Sequence, residues 1–287
     1  MRTWVRVVSG VLVTCALHVG VVAGESANAG GRNSHFKKSV VAALNITQLQ
    51  YKDWAAGGED ALSYVAQLRA DFELKDTKIN WQLTGRFAFG QTKLGSGQLR
   101  NSTDQIDIDT ALSYRLNHHL NPYAGASART QFATGYDYKK KPPVPKSAFR
   151  DPLYLTQTVG VNLATGRAFR SRLGIGLKET FTRKYTVYSD DPKTPVVERR
   201  KVETGIHSTS SWKLKLGDTL VYDARLKLFS TFEHIDVVDV QWDNAISAQV
   251  AKYVAVNLTV NVLYDKDVSY RTQVKQQLAI GLTYNLF

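Results

Sequence analysis

The chain has 287 residues, of which 43% are hydrophobic and 22% are charged, and its formal net charge is +12. This composition excludes a disordered chain, and it excludes a bundle of membrane helices, each of which needs about 20 consecutive apolar residues. The single cysteine, Cys15, lies in the N-terminal apolar stretch. The exported chain is therefore expected to contain no disulfide, thiolate metal site or cysteine nucleophile.

The first 29 residues resemble a secretory signal peptide. Arg2 and Arg6 precede an apolar stretch at residues 7–23, and Ala27, Asn28 and Ala29 fit the small-x-small cleavage pattern. We predict a signal peptide at residues 1–29 and a mature domain at 30–287, with cleavage after Gly24 or a retained anchor helix as alternatives. Because the chain is exported, its basic excess is expected to meet acidic lipid or anionic solutes and no nucleic acid.

From about residue 36 onward, apolar residues recur at every second position, which is typical of strands with two chemically different faces. In the clearest segment, 254–264, Val254, Val256 and Leu258 begin an apolar face, while Ala255 and Asn257 begin the opposite one. A helix has a period of 3.6 residues and would scatter these side chains. The pattern predicts about twelve strands, at 40–51, 62–74, 79–89, 106–116, 123–133, 153–163, 169–181, 202–216, 220–232, 240–250, 254–264 and 278–286.

The predicted strands are long, and their connections alternate in length. A tilted strand of about nine to eleven residues crosses a bilayer, whereas strands of soluble proteins usually have about five or six. Outer-membrane barrels join such strands by short periplasmic turns and longer external loops. Short connections are predicted at 75–78, 117–122, 164–167, 216–218 and 251–253, and longer ones at 54–60, 94–104, 136–152, 185–200, 234–239 and 265–271.

These features predict an all-β fold, namely a closed antiparallel up-and-down transmembrane β-barrel of about 12 strands in a bacterial outer membrane. A soluble β-sandwich and a soluble periplasmic barrel that binds a ligand in an apolar interior are the alternatives. Aromatic residues near strand ends are expected to form girdles at the two bilayer interfaces. These residues are Trp54, Trp81, Tyr114, Tyr123, Tyr136, Tyr138, Tyr154, Tyr185, Tyr188, Trp212, Tyr253, Tyr264 and Tyr284.

Several segments resemble a family of uncharacterised outer-membrane β-barrel proteins, a domain of unknown function. Residues 53–59 are similar to the Trp-x-x-Gly-Gly-Glu segment of that family, and residues 103–107 and 130–138 are similar to its two central signatures. A weaker similarity, through residues 135–138 and the closing strand, links the chain to salt-induced outer-membrane proteins. The resemblance implies a fold and a location, and it supplies no catalytic residue. Shorter similar segments lie at 153–156, 239–242 and 263–267.

The C-terminal residues 277–287 alternate and end in Phe287, which is typical of the signal read by the barrel-assembly machinery during biogenesis. Phe287 nevertheless lies one residue out of phase with the apolar face that ends at Leu286. Outer-membrane lipid, lipopolysaccharide and this machinery are the partners that the sequence predicts.

The faces opposite the apolar ones carry charges of both signs and are expected to line the lumen. Balanced charges in a narrow interior favour paired networks over a funnel of one sign. We therefore predict a narrow or closed lumen, with the basic excess mainly in loops such as 139–141 and 199–201. The candidate lumen-lining residues are Arg69, Asp71, Arg86, Asp107, Asp109, Arg115, Arg129, Arg170, Arg172, Glu203, His207, Asp223 and Arg225, and Glu73, Lys178, Lys213, Lys227, Glu233, Asp239 and Asp243 are also assigned inward.

No sequence motif predicts a cofactor or a metal site. His207 and Thr209 share one strand face and form the sharpest enzymatic candidate, because outer-membrane phospholipases pair a base with a hydroxyl nucleophile. The pair at 118–119, His118 and His119, lacks further metal ligands, and Gly95 opens a loop without the lysine and helix of a phosphate-binding loop. The sequence predicts a noncatalytic outer-membrane barrel, envelope-structural or a narrow passive channel for small solutes, with a lipid hydrolase as the alternative.

Overall fold

The computed structural model describes residues 35–50, 59–117, 120–165, 168–191, 193–266 and 269–285. The predicted signal peptide, Trp54, the two histidines at 118–119 and Phe287 lie outside the described residues. The barrel strands are β1 (His35–Leu49), β2 (Ala61–Lys75), β3 (Ile79–Leu94), β4 (Arg100–Tyr114), β5 (Leu120–Thr130), β8 (Leu153–Thr165), β9 (Phe169–Phe181), β10 (Arg200–Lys215), β11 (Leu220–Thr231), β12 (Asp239–Gln249), β13 (Val254–Asp265) and β14 (Ser269–Asn285); β6 (Gly135–Asp137) and β7 (Val144–Ser147) form a separate hairpin.

Each barrel strand pairs antiparallel with its neighbour, and β14 pairs back with β1, so the sheet closes on itself. The predicted fold class, a closed barrel of twelve antiparallel strands, is confirmed. β14 begins nine residues earlier than predicted, because residues 269–277 contain only Tyr270 and Val274 as apolar residues, which are too few to reveal the alternation. No helix in the described part of the chain is long and apolar enough to cross a membrane.

Connection lengths distinguish the two ends of the barrel. The short-turn end carries the connections at 76–78, 115–119, 166–168, 216–219 and 250–253, together with the start of β1 and the end of β14. The long-loop end carries 50–60, 95–99, 131–152, 182–199, 232–238 and 266–268. The predicted alternation of short and long connections is therefore present, although the last one is short because β14 starts early.

Two aspartates at the long-loop end hold neighbouring loops together. The Asp151 carboxylate accepts hydrogen bonds from the backbone N–H groups of Arg183 and Lys184 at 3.0 and 2.8 Å, which ties loop 131–152 to loop 182–199. Asp104 accepts bonds from two backbone N–H groups of the 131–152 loop in the same way. Burial and the nearby Asp151 carboxylate raise the pKa of the Tyr188 phenol in loop 182–199.

The outer wall of the barrel exposes a belt of large apolar side chains. Ile175, Val159 and Leu278 have 57%, 60% and 69% of their surface exposed, although each lies in a paired strand. Soluble monomers rarely expose a contiguous apolar belt, whereas an outer-membrane-type barrel presents one to lipid. The apolar face is therefore outside, opposite to what a soluble sandwich or an apolar ligand-binding barrel requires. Further exposed members are Leu44, Ile46, Leu62, Leu68, Ile108, Leu112, Leu163, Leu173, Ile206, Trp242, Ile246, Val274, Ile280 and Leu282.

Aromatic pairs bridge adjacent strands on the outer wall near the short-turn end. The rings of Phe169 and Trp212 lie 5.3 Å apart, and those of Tyr253 and Tyr284 lie 6.0 Å apart. Such amphipathic rings are stable at a headgroup boundary, as expected for a girdle.

Two members of the predicted girdles lie inside the barrel. Tyr123 is 5% exposed and its ring faces the guanidinium of Arg172, while the Tyr154 ring lies 4.8 Å from the guanidinium carbon of Arg129. The prediction was wrong for both because Tyr123 shares the lumenal face of β5 with Arg129, and Tyr154 lies on the lumenal face of β8 beside it.

The seam that closes the barrel is short. Among the described residues, β1 pairs with β14 from Val41 to Asn45, whereas it pairs with β2 along its whole length. The two strands are staggered at this seam, so most of β14 faces its partner β13 alone.

Gly160 and Gly174 face each other where β8 and β9 approach most closely. A Cβ atom on Gly160 would lie 2.1 Å from the carbonyl oxygen of Leu173, which is backbone and has no freedom to rotate away. The same row of the sheet continues to Tyr123 on one side and His207 on the other. Glycine is therefore required by the close backbone approach at this pair.

We expect Gly160→Ala to destabilise the barrel by roughly 1–3 kcal/mol, since the added methyl group has to displace the β9 backbone. Urea unfolding of protein refolded in detergent measures the change. Gly176→Ala is the matched control, because its Cβ would meet side chains at 3.0 Å and beyond. Equal losses for the two variants would contradict the assignment.

Candidate functional site in the barrel interior

Charged side chains from opposite walls meet inside the barrel. Arg69 on β2 donates from Nη1 to Oδ2 of Asp223 on β11 at 2.8 Å. Four strands, β1, β14, β13 and β12, separate β2 from β11 by the shorter way around the wall. The pair therefore crosses the lumen directly. Arg69 also donates from Nε to Asp71 at 2.7 Å, which fixes the direction of its guanidinium.

A second set of ion pairs lies beside the first and centres on two aspartates of β4. Asp109 accepts from Arg172 of β9 at 2.7 Å and lies 3.1 Å from the guanidinium of Arg225 on β11. Asp107 accepts from Lys227 of β11 at 3.1 Å. The side chains of Arg225 and Asp107 are only 4% and 2% exposed. We call the ion-paired residues Arg69, Asp71, Asp107, Asp109, Arg172, Asp223, Arg225 and Lys227 the central network.

The geometry of the central network leaves some buried polar atoms without hydrogen bonds. Arg225 Nη1 is 4.0 Å from Asp107 Oδ1, which is an ion pair without a hydrogen bond. Arg86 lies between Arg69 and Asp107 in the strand register, and its Nη1 atom is buried without a hydrogen-bond partner. The contact between Arg225 and Asp107 is therefore one of electrostatic attraction without a hydrogen bond.

Toward the long-loop end, Lys178 of β9 is surrounded by three carboxylates. Its Nζ atom lies 2.8 Å from Asp239, 3.6 Å from Glu203 and 3.7 Å from Asp265, which belong to three different strands. The ammonium also lies 5.3 Å from the centre of the Phe229 ring. Lys178 thus joins β9, β10, β12 and β13 above the central network.

A cavity of about 90 Å³ separates the Lys178 cluster from the central network. Arg129 lies on its wall, donating to Gln241 at 2.8 Å and covering the Tyr154 ring. His207 and Lys227 also line the cavity. At about 30 Å³ per water molecule, the cavity accommodates a few waters rather than a solute.

At the short-turn end, Glu73 is shared by two cations. Lys75 and Arg170 each approach its Oε1 atom to 3.3 Å, and Gln82 donates to the same atom at 2.9 Å. The side chains of Lys75 and Arg170 are 36% and 42% exposed, so water reaches both ion pairs with Glu73.

The structure brings together most of the thirteen predicted lumen-lining residues. The central network contains Arg69, Asp71, Asp107, Asp109, Arg172, Asp223 and Arg225, and Arg86 lies next to it. Arg129, Glu203 and His207 lie toward the long-loop end, and Arg170 contacts Glu73 toward the short-turn end.

One inward assignment is wrong, because Glu233 lies in the 232–238 loop beyond β11. The alternation continues past the end of β11 in the sequence, but the chain there has already left the barrel wall. Arg115 follows the last residue of β4 and lines an exposed recess at the short-turn end.

Asp265 was missed, since it was assigned to a loop. It is the last residue of β13, is 7% exposed and lies beside Lys178. The alternation from Ala255 to Leu263 extends to this position and supplies the signal that was overlooked.

The proposed base and hydroxyl of the hydrolase alternative do not contact each other. His207 Nδ1 and Thr209 Oγ1 are both buried without a hydrogen-bond partner, so no proton can pass directly between them in this arrangement. Both also face the interior rather than the lipid-facing wall. Among the described residues, no group of three His, Cys, Asp or Glu side chains is arranged to hold a metal ion.

The fold and its interior define an outer-membrane-type β-barrel with an ion-paired lumen. Residues 46–136 match the model of a family described as a protein of unknown function, DUF3078, which confirms the resemblance to a domain of unknown function over this segment. A search of curated proteins found no match.

Solved structures with a similar strand arrangement superpose loosely. The COG4313 outer membrane channel from Pseudomonas putida F1 aligns at 11% identity over 90% of this chain and 95% of its own, with a TM-score of 0.37. The translocator domain of the autotransporter NalP from Neisseria meningitidis aligns at 7% identity over 90% of each chain, with a TM-score of 0.34. The beta domain of the Bordetella autotransporter BrkA aligns at 10% identity over 87% of this chain and 98% of its own, with a TM-score of 0.32.

We expect Asp107→Asn to destabilise the folded barrel by roughly 3–5 kcal/mol, because Lys227 and Arg225 lose a buried counter-ion. The midpoint of urea unfolding in detergent gives the measurement. Glu73→Gln is the control, since the partners of Glu73 are hydrated and its loss is expected to cost about 1 kcal/mol or less. A loss for Asp107→Asn as small as that for Glu73→Gln would overturn the importance given to the central network.

Proposed function

We propose that this chain is an outer-membrane protein of a Gram-negative envelope, and that it acts as a noncatalytic barrel whose lumen is closed to free diffusion. The observation that carries the proposal is the direct ion pair between Arg69 and Asp223 across the lumen. The interior of an open porin is a water-filled channel, whereas this ion pair joins opposite walls directly. The role that follows is structural, with at most a narrow path for small solutes.

Two observations support the outer-membrane location. The exposed apolar belt surrounds a polar interior, which is the arrangement a lipid bilayer stabilises. The wall is closed by backbone pairing between β1 and β14, so the strand ladder continues around the barrel as a membrane-spanning sheet requires. The long-loop end then faces outward and the short-turn end faces the periplasm. Export through a cleaved signal peptide at residues 1–29 is part of the same proposal.

Permeability follows from the energetics of the central network. A solute that crosses it has to separate Asp109 from Arg172 and Arg225, or Asp107 from Lys227, and each charge would lose its counter-ion in a poorly hydrated interior. Such a separation costs several kcal/mol per charge. Water molecules and small ions that replace one partner at a time have the lowest barrier, which is why the narrow-channel version is limited to small solutes.

The lipid hydrolase remains a separate candidate that the geometry does not favour, because His207 and Thr209 are unbonded and face away from lipid. A phospholipase assay on vesicles with the native protein and with His207→Ala tests it, and equal background rates are expected. Contact of the lysines at 139–141 with lipopolysaccharide also stays a prediction.

In planar bilayers, we expect the native barrel to show no steady single-channel steps, and Arg69→Ala combined with Asp223→Ala to produce resolvable steps. The double variant removes both members of the cross-lumen pair, so neither of them remains as a buried charge without its partner. Lys139→Gln combined with Lys140→Gln, in the 131–152 loop, is the control. Large steady conductance of the native protein would contradict the closed-lumen proposal.

We also expect Leu278→Arg to reduce insertion into lipid vesicles and to destabilise the barrel by roughly 2–4 kcal/mol, because it places a charge on the lipid-facing wall. Gln277→Arg puts the same side chain one residue away on the lumenal face and should insert normally. Protection from added protease after refolding into vesicles reports insertion. Equal insertion of the two variants would argue against a membrane location.

A further inference from the structure

The basic excess of the chain is not in the long loops, contrary to the sequence-based expectation. The long-loop connections contain eleven basic and eleven acidic residues and are therefore neutral. The lysines at 139–141 are balanced by acids spread over the other loops. The short-turn connections are different, because they contain four basic residues and two acidic ones. The cationic end of the barrel is thus the one with short turns.

Several of these cations face the mouth of the lumen rather than the surrounding wall. Lys37 of β1 is paired in register with Glu73, and Lys213 of β10 is paired with Asp223. Both carboxylates point into the lumen, where they bind interior cations. Because side chains alternate along a strand, Lys37 and Lys213 share this inward direction. They are exposed there to water in the barrel mouth.

A recess of about 430 Å³ lies at this mouth, lined by His35, Lys37, Lys75, Asp76, Thr77 and Arg115. Three of these residues, Lys37, Lys75 and Arg115, are cationic, and one, Asp76, is a carboxylate. Asp76 is held by its own turn, where Oδ1 accepts from the Thr77 backbone N–H at 2.7 Å. In the described part of the chain, no carboxylate lies within 4.0 Å of Lys37 or Arg115.

Farther inside the barrel, Lys75 and Arg170 share Glu73, and the central network is ion-paired. Converging cations against a wall of low dielectric constant raise the local concentration of anions. An anion that enters the mouth therefore meets positive charge in the recess.

We propose that this recess is a binding site for a soluble multivalent oxyanion that carries phosphate groups, and that Lys37, Lys75 and Arg115 are its main ligands. Arginine binds phosphate oxygens in a bidentate manner, and lysine adds point charge. The volume is in the range of small-molecule sites. A lipid headgroup is the other source of the same chemistry, but the inward direction of Lys37 favours a ligand that reaches the mouth through water.

Isothermal titration of the full-length barrel in zwitterionic detergent with tripolyphosphate tests the site. We expect saturable binding that weakens as salt rises, and Lys37→Gln combined with Arg115→Gln should weaken it at least about tenfold, the equivalent of about 1.4 kcal/mol. Lys139→Gln combined with Lys140→Gln removes two charges from the neutral end and should leave the affinity within about twofold of the native value.

The two phosphate sources are separated by a second arm with vesicles containing phosphatidylglycerol. Binding to tripolyphosphate that depends on Lys37 and Arg115 supports the proposal. Equal loss in the loop control, absence of tripolyphosphate binding, or dependence of vesicle binding alone on these residues would overturn it. The residues are exposed on the rim, so heat-modifiable gel mobility should show that every variant folds. The measurement is made in detergent, and its outcome is independent of where the barrel resides.

Discussion

The carboxylates of Asp107 and Asp109 lie in the interior of the barrel, and the cations that neutralise them come from the opposite part of the wall. A buried charge is tolerated only when a partner compensates its lost hydration, and no neighbour on β4 supplies one. The barrel therefore has to be narrow enough for Arg225, Lys227 and Arg172 to reach β4. The short distances across the lumen and the small cavity both follow from this requirement.

The same requirement separates the chemistry of the two faces. Once one face of each strand carries charges that bind each other, the other face is left to the surrounding solvent. The apolar belt around Ile175 and Leu278 is stable in that position only if the solvent is lipid. Interior ion pairing and the exposed apolar surface therefore both result from the alternation of side chains along each strand.

Much of this arrangement could be predicted from the sequence because strand alternation is local. It correctly separated the apolar residues of β13 from the polar ones, and it placed Arg69 and Asp223 on inward faces. It could not show that these two side chains meet. They are 154 residues apart in sequence, and their contact depends on how the sheet closes on itself. Strand ends were the other source of error. Asp265 continues the pattern inside the wall and Glu233 continues it outside, and nothing local distinguishes the two.

The charge distribution was predicted less well for a related reason. Runs such as the lysines at 139–141 are conspicuous, whereas the acids that balance them are scattered along several loops. Lys37, Lys75 and Arg115 are isolated in sequence and become neighbours only when β1, β2 and β4 are assembled. Clusters formed by the topology are invisible to a search for adjacent residues.

The short seam between β1 and β14 is the line along which the barrel wall has the fewest described strand pairings to hold it closed. Among the described residues, five residue pairs close this seam, and the ion pairs of the central network are anchored on β2, β4, β9 and β11, so none of them joins the two seam strands directly. Opening the barrel along this line would break fewer of the described strand pairings than at the other strand pairs, but it would also pull apart Arg69 and Asp223, which face each other across the seam from β2 and β11. The seam is thus the line along which the two edges of the sheet, the first strand and the last, meet when the cylinder closes.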